Sequence, residues 1–241
     1  EARLGGTLMN PNELGMLAGV GCACLIFDLY RFKNKVWTII KILIIMYALY
    51  MTGSRSSLIG VLLIIFFHVN QTKRKTLKFG IIAVVAAVAP FAVYSIILKG
   101  GDQSRLEEVM SLTGRLPFWK ALITEGLPRE PLLGFGFMRI DYKEFFQSAH
   151  TYPGKMTHNT FMQVLMNLGF IGFTIVLFQV FFTVKSILSE QKEIKLMLIG
   201  ILIPIIINSF TEFGIFGESN YGIMFYPVSY THLRAHETVL D

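Results

Sequence analysis

Apolar runs of about 20 residues recur along this chain, and that is the length of helix that crosses the roughly 30 Å hydrocarbon core of a bilayer. The runs mark spans at 12–30, 36–52, 56–69, 79–98, 157–184 and 196–215, and an apolar piece at Tyr221–Pro227 starts a possible seventh. The third run is short for a crossing, so its ends must reach into Gly53–Arg55 and Asn70. Only 16% of the residues are charged, against about 25% in a soluble domain. The expected fold class is all-α: a polytopic transmembrane helix bundle with no large soluble domain, and one membrane domain over 1–227. The first residue is Glu1 and no signal peptide is visible, so the chain is expected to begin in mid-protein. Residues 228–241 abandon the membrane composition abruptly and read as a non-native tail, so His232, Arg234 and His236 stay out of the site reasoning.

The loops give an orientation. Arg31, Lys33 and Lys35 follow the first span, Lys73, Arg74, Lys75 and Lys78 the third, and Lys185, Lys192 and Lys195 the fifth. Alternating spans put these three short basic loops on one side, which the positive-inside rule makes cytoplasmic. The net charge of +6 is thereby explained by topology, with no nucleic-acid partner. The turn at Arg55, the long 99–156 loop and the Thr211–Asn220 stretch then face outward. Cys22 and Cys24 point in different directions around one apolar helix and read as packing residues. Gly15-x-x-x-Gly19 reads as a close helix-packing face.

Three outward segments carry candidate chemistry. Thr52-Gly53-Ser54-Arg55-Ser56 is a tight turn with a permanent cation at its apex. Arginine at the lip of the hydrocarbon costs roughly 2.5–3.5 kcal/mol, so an anionic partner is expected. Thr113-Gly114-Arg115 precedes a short helix expected over Pro117–Glu125, closed by Gly126, with Phe118, Trp119, Leu122 and Ile123 on its apolar face. Pro128, Pro131, Gly134 and Gly136 mark turns. Gly134-Phe135-Gly136-Phe137 lacks the third glycine and the strand of a dinucleotide fingerprint. Thr157-His158-Asn159-Thr160 opens the fifth span.

Taken singly, an arginine at a span end usually anchors by snorkelling, and a His-Asn-Thr run usually caps a helix. Gathered at one membrane face, they suit a lipid diphosphate whose head group lies at the surface. Arginine forks bind phosphate oxygens and stay charged, and they can stabilise a departing diphosphate. Histidine can take the proton of a sugar hydroxyl near neutrality, and the start of the fifth span adds a dipole that favours anions. Glu212 and Glu218, beyond the sixth span, could bind a cation, pair with the arginines or orient an acceptor, whereas Asp102, Glu107 and Glu108 read as a solvated loop face.

These residues occur in a familiar order. Asn10-Pro11-Asn12-Glu13-Leu14-Gly15, Thr52-Gly53-Ser54-Arg55-Ser56, Leu112-Thr113-Gly114-Arg115 with Trp119, Pro131-Leu132-Leu133-Gly134-Phe135-Gly136, and His158-Asn159-Thr160-Phe161 with Gly169 and Gly172 resemble the O-antigen ligase and polysaccharide polymerase superfamily. The ordered set carries the resemblance, over nearly all of 5–226. It implies a GT-C-like membrane glycosyltransferase of the bacterial plasma membrane, with its active site facing the periplasm or exterior and with no metal or other cofactor. Its expected partners are an undecaprenyl-diphosphate-linked glycan, an acceptor glycan or lipid A core, and the bilayer. By resemblance, Arg55 and Arg115 hold the diphosphate and His158 activates the acceptor hydroxyl; Asn159, Glu212 and Trp119 are candidates for orienting the acceptor or supporting these three. The family's ten to twelve spans exceed the number read here, so several N-terminal helices are expected to be absent. Chain growth, ligation to lipid A core and transfer to protein all remain open, with a lean to polymerases from the His-Asn and Glu212–Tyr221 segments. The competing class is a transporter or flippase for lipid-linked glycans. Such proteins place substrate near the bilayer midplane and often show repeats, whereas here the charges collect at the outer mouth.

Overall fold

The structure is a computed structural model that describes residues 4–5, 10–31, 35–71, 75–76, 78–80, 82–83, 86–87, 115–136, 157–212 and 214–215. The seventh apolar piece, the tail, Glu218 and most of both the fourth expected span and the outer loop lie outside them. Every regular element among the described residues is helical: α1 (Pro11–Arg31), α2 (Lys35–Thr52), α3 (Arg55–Gln71), α4 (Arg115–Ala121), α5 (Thr160–Ser189) and α6 (Lys192–Ser209).

α1 starts on a capping box. Asn10 Oδ1 accepts from the Asn12 N–H at 3.0 Å, Pro11 takes the first helical position, and the Glu13 carboxylate accepts from the Asn10 N–H. The turn into α3 is equally defined. Gly53 adopts φ 62°, and the Ser54 hydroxyl caps α3 by accepting from the Ser57 N–H at 3.4 Å.

α1, α3 and α6 pack through small residues. A Cβ on Gly15 would lie 2.7 Å from Ser57 Oγ, one on Gly19 would lie 3.0 Å from Pro204 Cβ, and one on Gly60 would lie 3.2 Å from Pro204 Cα. The Gly15/Gly19 pair is thus a close-packing face, as its spacing suggests. Behind it Met16, Val20, Leu198, Leu202 and Ile205 form the core with Ile187 and Ile215. Cys22 is buried and Cys24 exposed, both as free thiols. Trp37, Leu43, Ile44 and Tyr47 on α2 and Ile175, Phe178 and Phe181 on α5 are exposed, a surface that suits lipid.

Among the described residues, three helices are long and apolar enough to cross a membrane, at Pro11–Leu29, Lys35–Thr52 and Thr160–Ser189; α3 is apolar but shorter. The expected sixth span differs in two ways. It opens with Lys192, Glu193 and Lys195, and it ends at Ser209 rather than 215, because Phe210, Glu212 and Gly214 lie beyond the helix and bond to Asn159 and Thr160 at the start of α5. The fifth span also extends beyond 184, to Ser189.

α5 has 30 residues and α6 has 18, so straight helices would measure about 45 and 27 Å. Yet the ends of α5 meet both ends of α6: Asn159 Nδ2 donates to the Phe210 carbonyl at 3.1 Å, and only Glu190 and Gln191 separate the other pair. α5 therefore cannot be straight. It breaks at Gly169, with φ 62° and ψ −166°, a conformation essentially confined to glycine.

The segment 131–136 fills that break. The N–H groups of Phe135 and Gly136 donate to the carbonyls of Met166 and Asn167 at 2.9 and 2.8 Å, and the Phe170 N–H donates to the Pro131 carbonyl at 2.8 Å. The backbone groups freed by the break are thus paired, as a low-dielectric setting requires.

Candidate functional site

Arg55, Arg115, Trp119, His158, Asn159 and Glu212 fall at one end of the bundle, where α1 and α3 begin, α6 ends and α5 begins. Lys35, Lys185, Lys192 and Lys195 lie at the opposite end.

The start of α5 is fixed by its own polar residues. Asn159 caps it, accepting from the Met162 N–H at 3.0 Å. The buried Thr157 hydroxyl donates to Gln163 Oε1 at 2.8 Å, and the Thr157 carbonyl accepts from Trp119 Nε1 at 2.7 Å. Trp119 thereby ties α4 to α5, supported by Phe118 and Leu122 packed with Met166. α4 begins at Arg115, two residues before the expected Pro117, and widens into a π-turn over Leu122–Gly126. His158, between Thr157 and Asn159, has φ 47°. This left-handed conformation costs of the order of 1–3 kcal/mol outside glycine and clusters at functional sites.

Glu212 is the centre of the arrangement. Its backbone is pinned on both sides: its N–H donates to the Asn208 carbonyl at 2.6 Å, and its carbonyl accepts from Thr160 Oγ1 at 3.3 Å. The carboxylate is divided between three partners. Oε1 accepts from Arg115 Nη2 at 2.9 Å and from Asn12 Nδ2 at 2.7 Å, and Oε2 meets His158 Nδ1 at 2.9 Å. Arg115 also donates through Nη1 to the Thr211 carbonyl. The Glu212 side chain is 8% exposed, those of Arg115 and His158 21% and 34%.

Burial pushes the Glu212 carboxyl up, but the hydrogen bond and charge of His158 and the charge and hydrogen bond of Arg115 outweigh it and hold it below the usual carboxylate range. An ionised carboxylate has no proton to give, so His158 Nδ1 is the donor of that pair. This fixes the tautomer and leaves Nε2 as the basic nitrogen.

Arg55, Arg115 and His158 share one end of the bundle, but only the last two meet, on Glu212. Arg55 is the exposed first residue of α3 and makes no ion pair among the described residues. It adjoins a polar chain that leads to the centre: Ser56 Oγ and Ser57 Oγ donate to Asn208 Oδ1 at 3.0 and 3.3 Å, and the Asn208 carbonyl accepts from the Glu212 N–H. Among the sequence's three options for Glu212, pairing with an arginine is realised, through Arg115. Sequence reasoning did not single out Asn12 or Asn208. The signal for Asn12 was present in Asn10-Pro11-Asn12-Glu13, a capping box that opens α1 at this same end.

No curated protein matches the chain. The family model described as O-Antigen ligase matches residues 40–177, a stretch that contains Arg55, Arg115, His158 and Gly169 but neither Asn12 nor Glu212. That match covers more than half of the chain and coincides with apolar spanning helices and a polar cluster at one end, so the chain belongs to the O-antigen ligase family of membrane glycosyltransferase-type enzymes.

Proposed function

We propose that this protein transfers or polymerises glycan from an undecaprenyl-diphosphate-linked donor onto an acceptor hydroxyl at the outer face of the bacterial plasma membrane, without a metal ion. The single membrane domain over 1–227 carries the site. The observation that carries the reading is the division of one buried carboxylate between a guanidinium and an imidazole, each 2.9 Å away.

In this reading His158 Nε2 takes the proton of the acceptor hydroxyl while Glu212 holds Nδ1–H and stabilises the imidazolium that forms. The acceptor oxygen bonds to the anomeric carbon as the bond from that carbon to the phosphate oxygen breaks, with inversion. The electron pair leaves on the diphosphate, whose charge Arg55 and Arg115 neutralise. Arg55 is exposed and unpaired among the described residues, which suits first capture of the head group. Arg115 holds the Glu212 carboxylate at 2.9 Å, and the same guanidinium fork can turn to a phosphate when the donor binds.

The test uses the protein in proteoliposomes with a defined lipid-diphosphate-linked repeat unit. His158→Asn is the suitable variant, because asparagine tolerates the left-handed backbone at this position. Loss of new glycosidic bonds is expected, and extension or transfer at the normal rate would remove the base assignment. Movement of labelled lipid-linked sugar without any new glycosidic bond would support a flippase instead.

A further inference from the structure

We propose that Asn12 is a positioning residue that keeps Glu212 aligned behind His158 when Arg115 turns to the donor's phosphates. This inference rests on the functional reading above.

Glu212 Oε1 has two donors of different kinds. Arg115 is a cation that any phosphate competes for, so donor binding draws it from the carboxylate. Asn12 is neutral and sits on a fixed support. Its N–H is bound to Asn10 Oδ1 at 3.0 Å and its carbonyl accepts from Ser57 Oγ at 3.4 Å. One turn on, Gly15 packs against Ser54 and Ser57. The amide at 2.7 Å from Oε1 therefore stays where the helix start puts it.

The need for such a donor follows from the charges facing Glu212. Glu13 on α1 already adds negative charge nearby, and an arriving diphosphate adds more while removing Arg115. A carboxylate left with His158 alone would be free to rotate away from the phosphates and release Nδ1. Asn12 opposes that rotation without adding charge, so Oε2 remains on the imidazole through the proton transfer.

The test compares Asn12→Leu, which removes the amide, and Asn12→Asp, near asparagine in volume, with the unaltered protein in proteoliposomes supplied with lipid-diphosphate-linked glycan. Each variant should lose about tenfold or more in kcat, the scale of one hydrogen bond to a charged group, with donor KM little changed. Adding Asn12→Leu to Glu212→Gln should cost little more than Glu212→Gln alone. A purely structural role would lower the active fraction and combine additively with Glu212→Gln. Wild-type kcat in either Asn12 variant, or additivity with Glu212→Gln, would each overturn the inference. His158→Asn separates the two failures. If it is inactive while the Asn12 variants behave as wild type, only this inference falls; if it is active, the functional reading falls with it.

Discussion

Gly134 and Gly169 interlock backbone to backbone, with no room for a side chain on either. A Cβ on Gly134 would lie 2.5 Å from Gly169 N and from Asn167 C, and one on Gly169 would strike the Leu132 carbonyl. Both residues also have positive φ, 69° and 62°. Gly134→Ala and Gly169→Ala should therefore each destabilise the protein by about 3 kcal/mol or more, through strain and overlap together. Gly136 gives an internal comparison. Its φ is 89° but, among the described residues, nothing lies within 4 Å of its Cβ position, so Gly136→Ala should cost only about 1–2 kcal/mol. Thermal unfolding in detergent would rank the three.

The two arginines should separate in their effects. Arg115 is bound to Glu212 and to the Thr211 carbonyl, so Arg115→Ala should lower both stability and activity. Arg55 is exposed and unpaired among the described residues, so Arg55→Ala should change stability by less than about 0.5 kcal/mol. Its effect should appear as a rise in donor KM, and Arg55→Lys should not restore it fully, because an ammonium lacks the planar fork that grips phosphate. Paired measurements of melting temperature and donor KM would check both.

Asn208 should matter more for stability than its place near the end of α6 suggests. It is 1% exposed; its Nδ2 donates to the Pro204 carbonyl at 2.8 Å and its Oδ1 accepts from Ser56 and Ser57. Asn208→Leu removes these hydrogen bonds in a buried setting; Ser57 keeps the Asn12 carbonyl as an acceptor, so the expected cost is about 1–3 kcal/mol. A lowered melting temperature is expected, and Asn208→Asp should not relieve it, because it sets a buried carboxylate oxygen against the Pro204 carbonyl.

Much of this arrangement was legible in the sequence because it follows from periodicity and charge. The apolar runs gave the starts of α1, α2, α3 and α5 to within a few residues, and alternation put Arg55, Arg115 and His158 at one end. What escaped depends on distant partners. The α5 break at Gly169 requires 131–136 to be docked against it, and no local pattern encodes that contact; the glycines of Pro131–Gly136 could only be read as turns. The sharing of Glu212 by Arg115, His158 and Asn12 joins four separated segments. Helix spacing indicates which residues can share an end, but not which of two arginines reaches the carboxylate.

The acid limit of stability should depend on Glu212. His158 and Arg115 hold its carboxyl below the usual carboxylate range despite the opposing effect of burial. A group depressed on folding contributes stability that is fully present above its unfolded pKa and is lost as pH falls through the folded one. The cluster should thus be intact at neutral pH and weaken as pH drops below about 4.5, near the ordinary carboxylate value. Glu212→Gln has no proton to gain in that window. It should be less stable than the unaltered protein at pH 7 and show a shallower decline in melting temperature between about pH 5 and 3. Melting curves across that range decide the matter: parallel declines in the two proteins would mean that Glu212 is not held ionised by its partners.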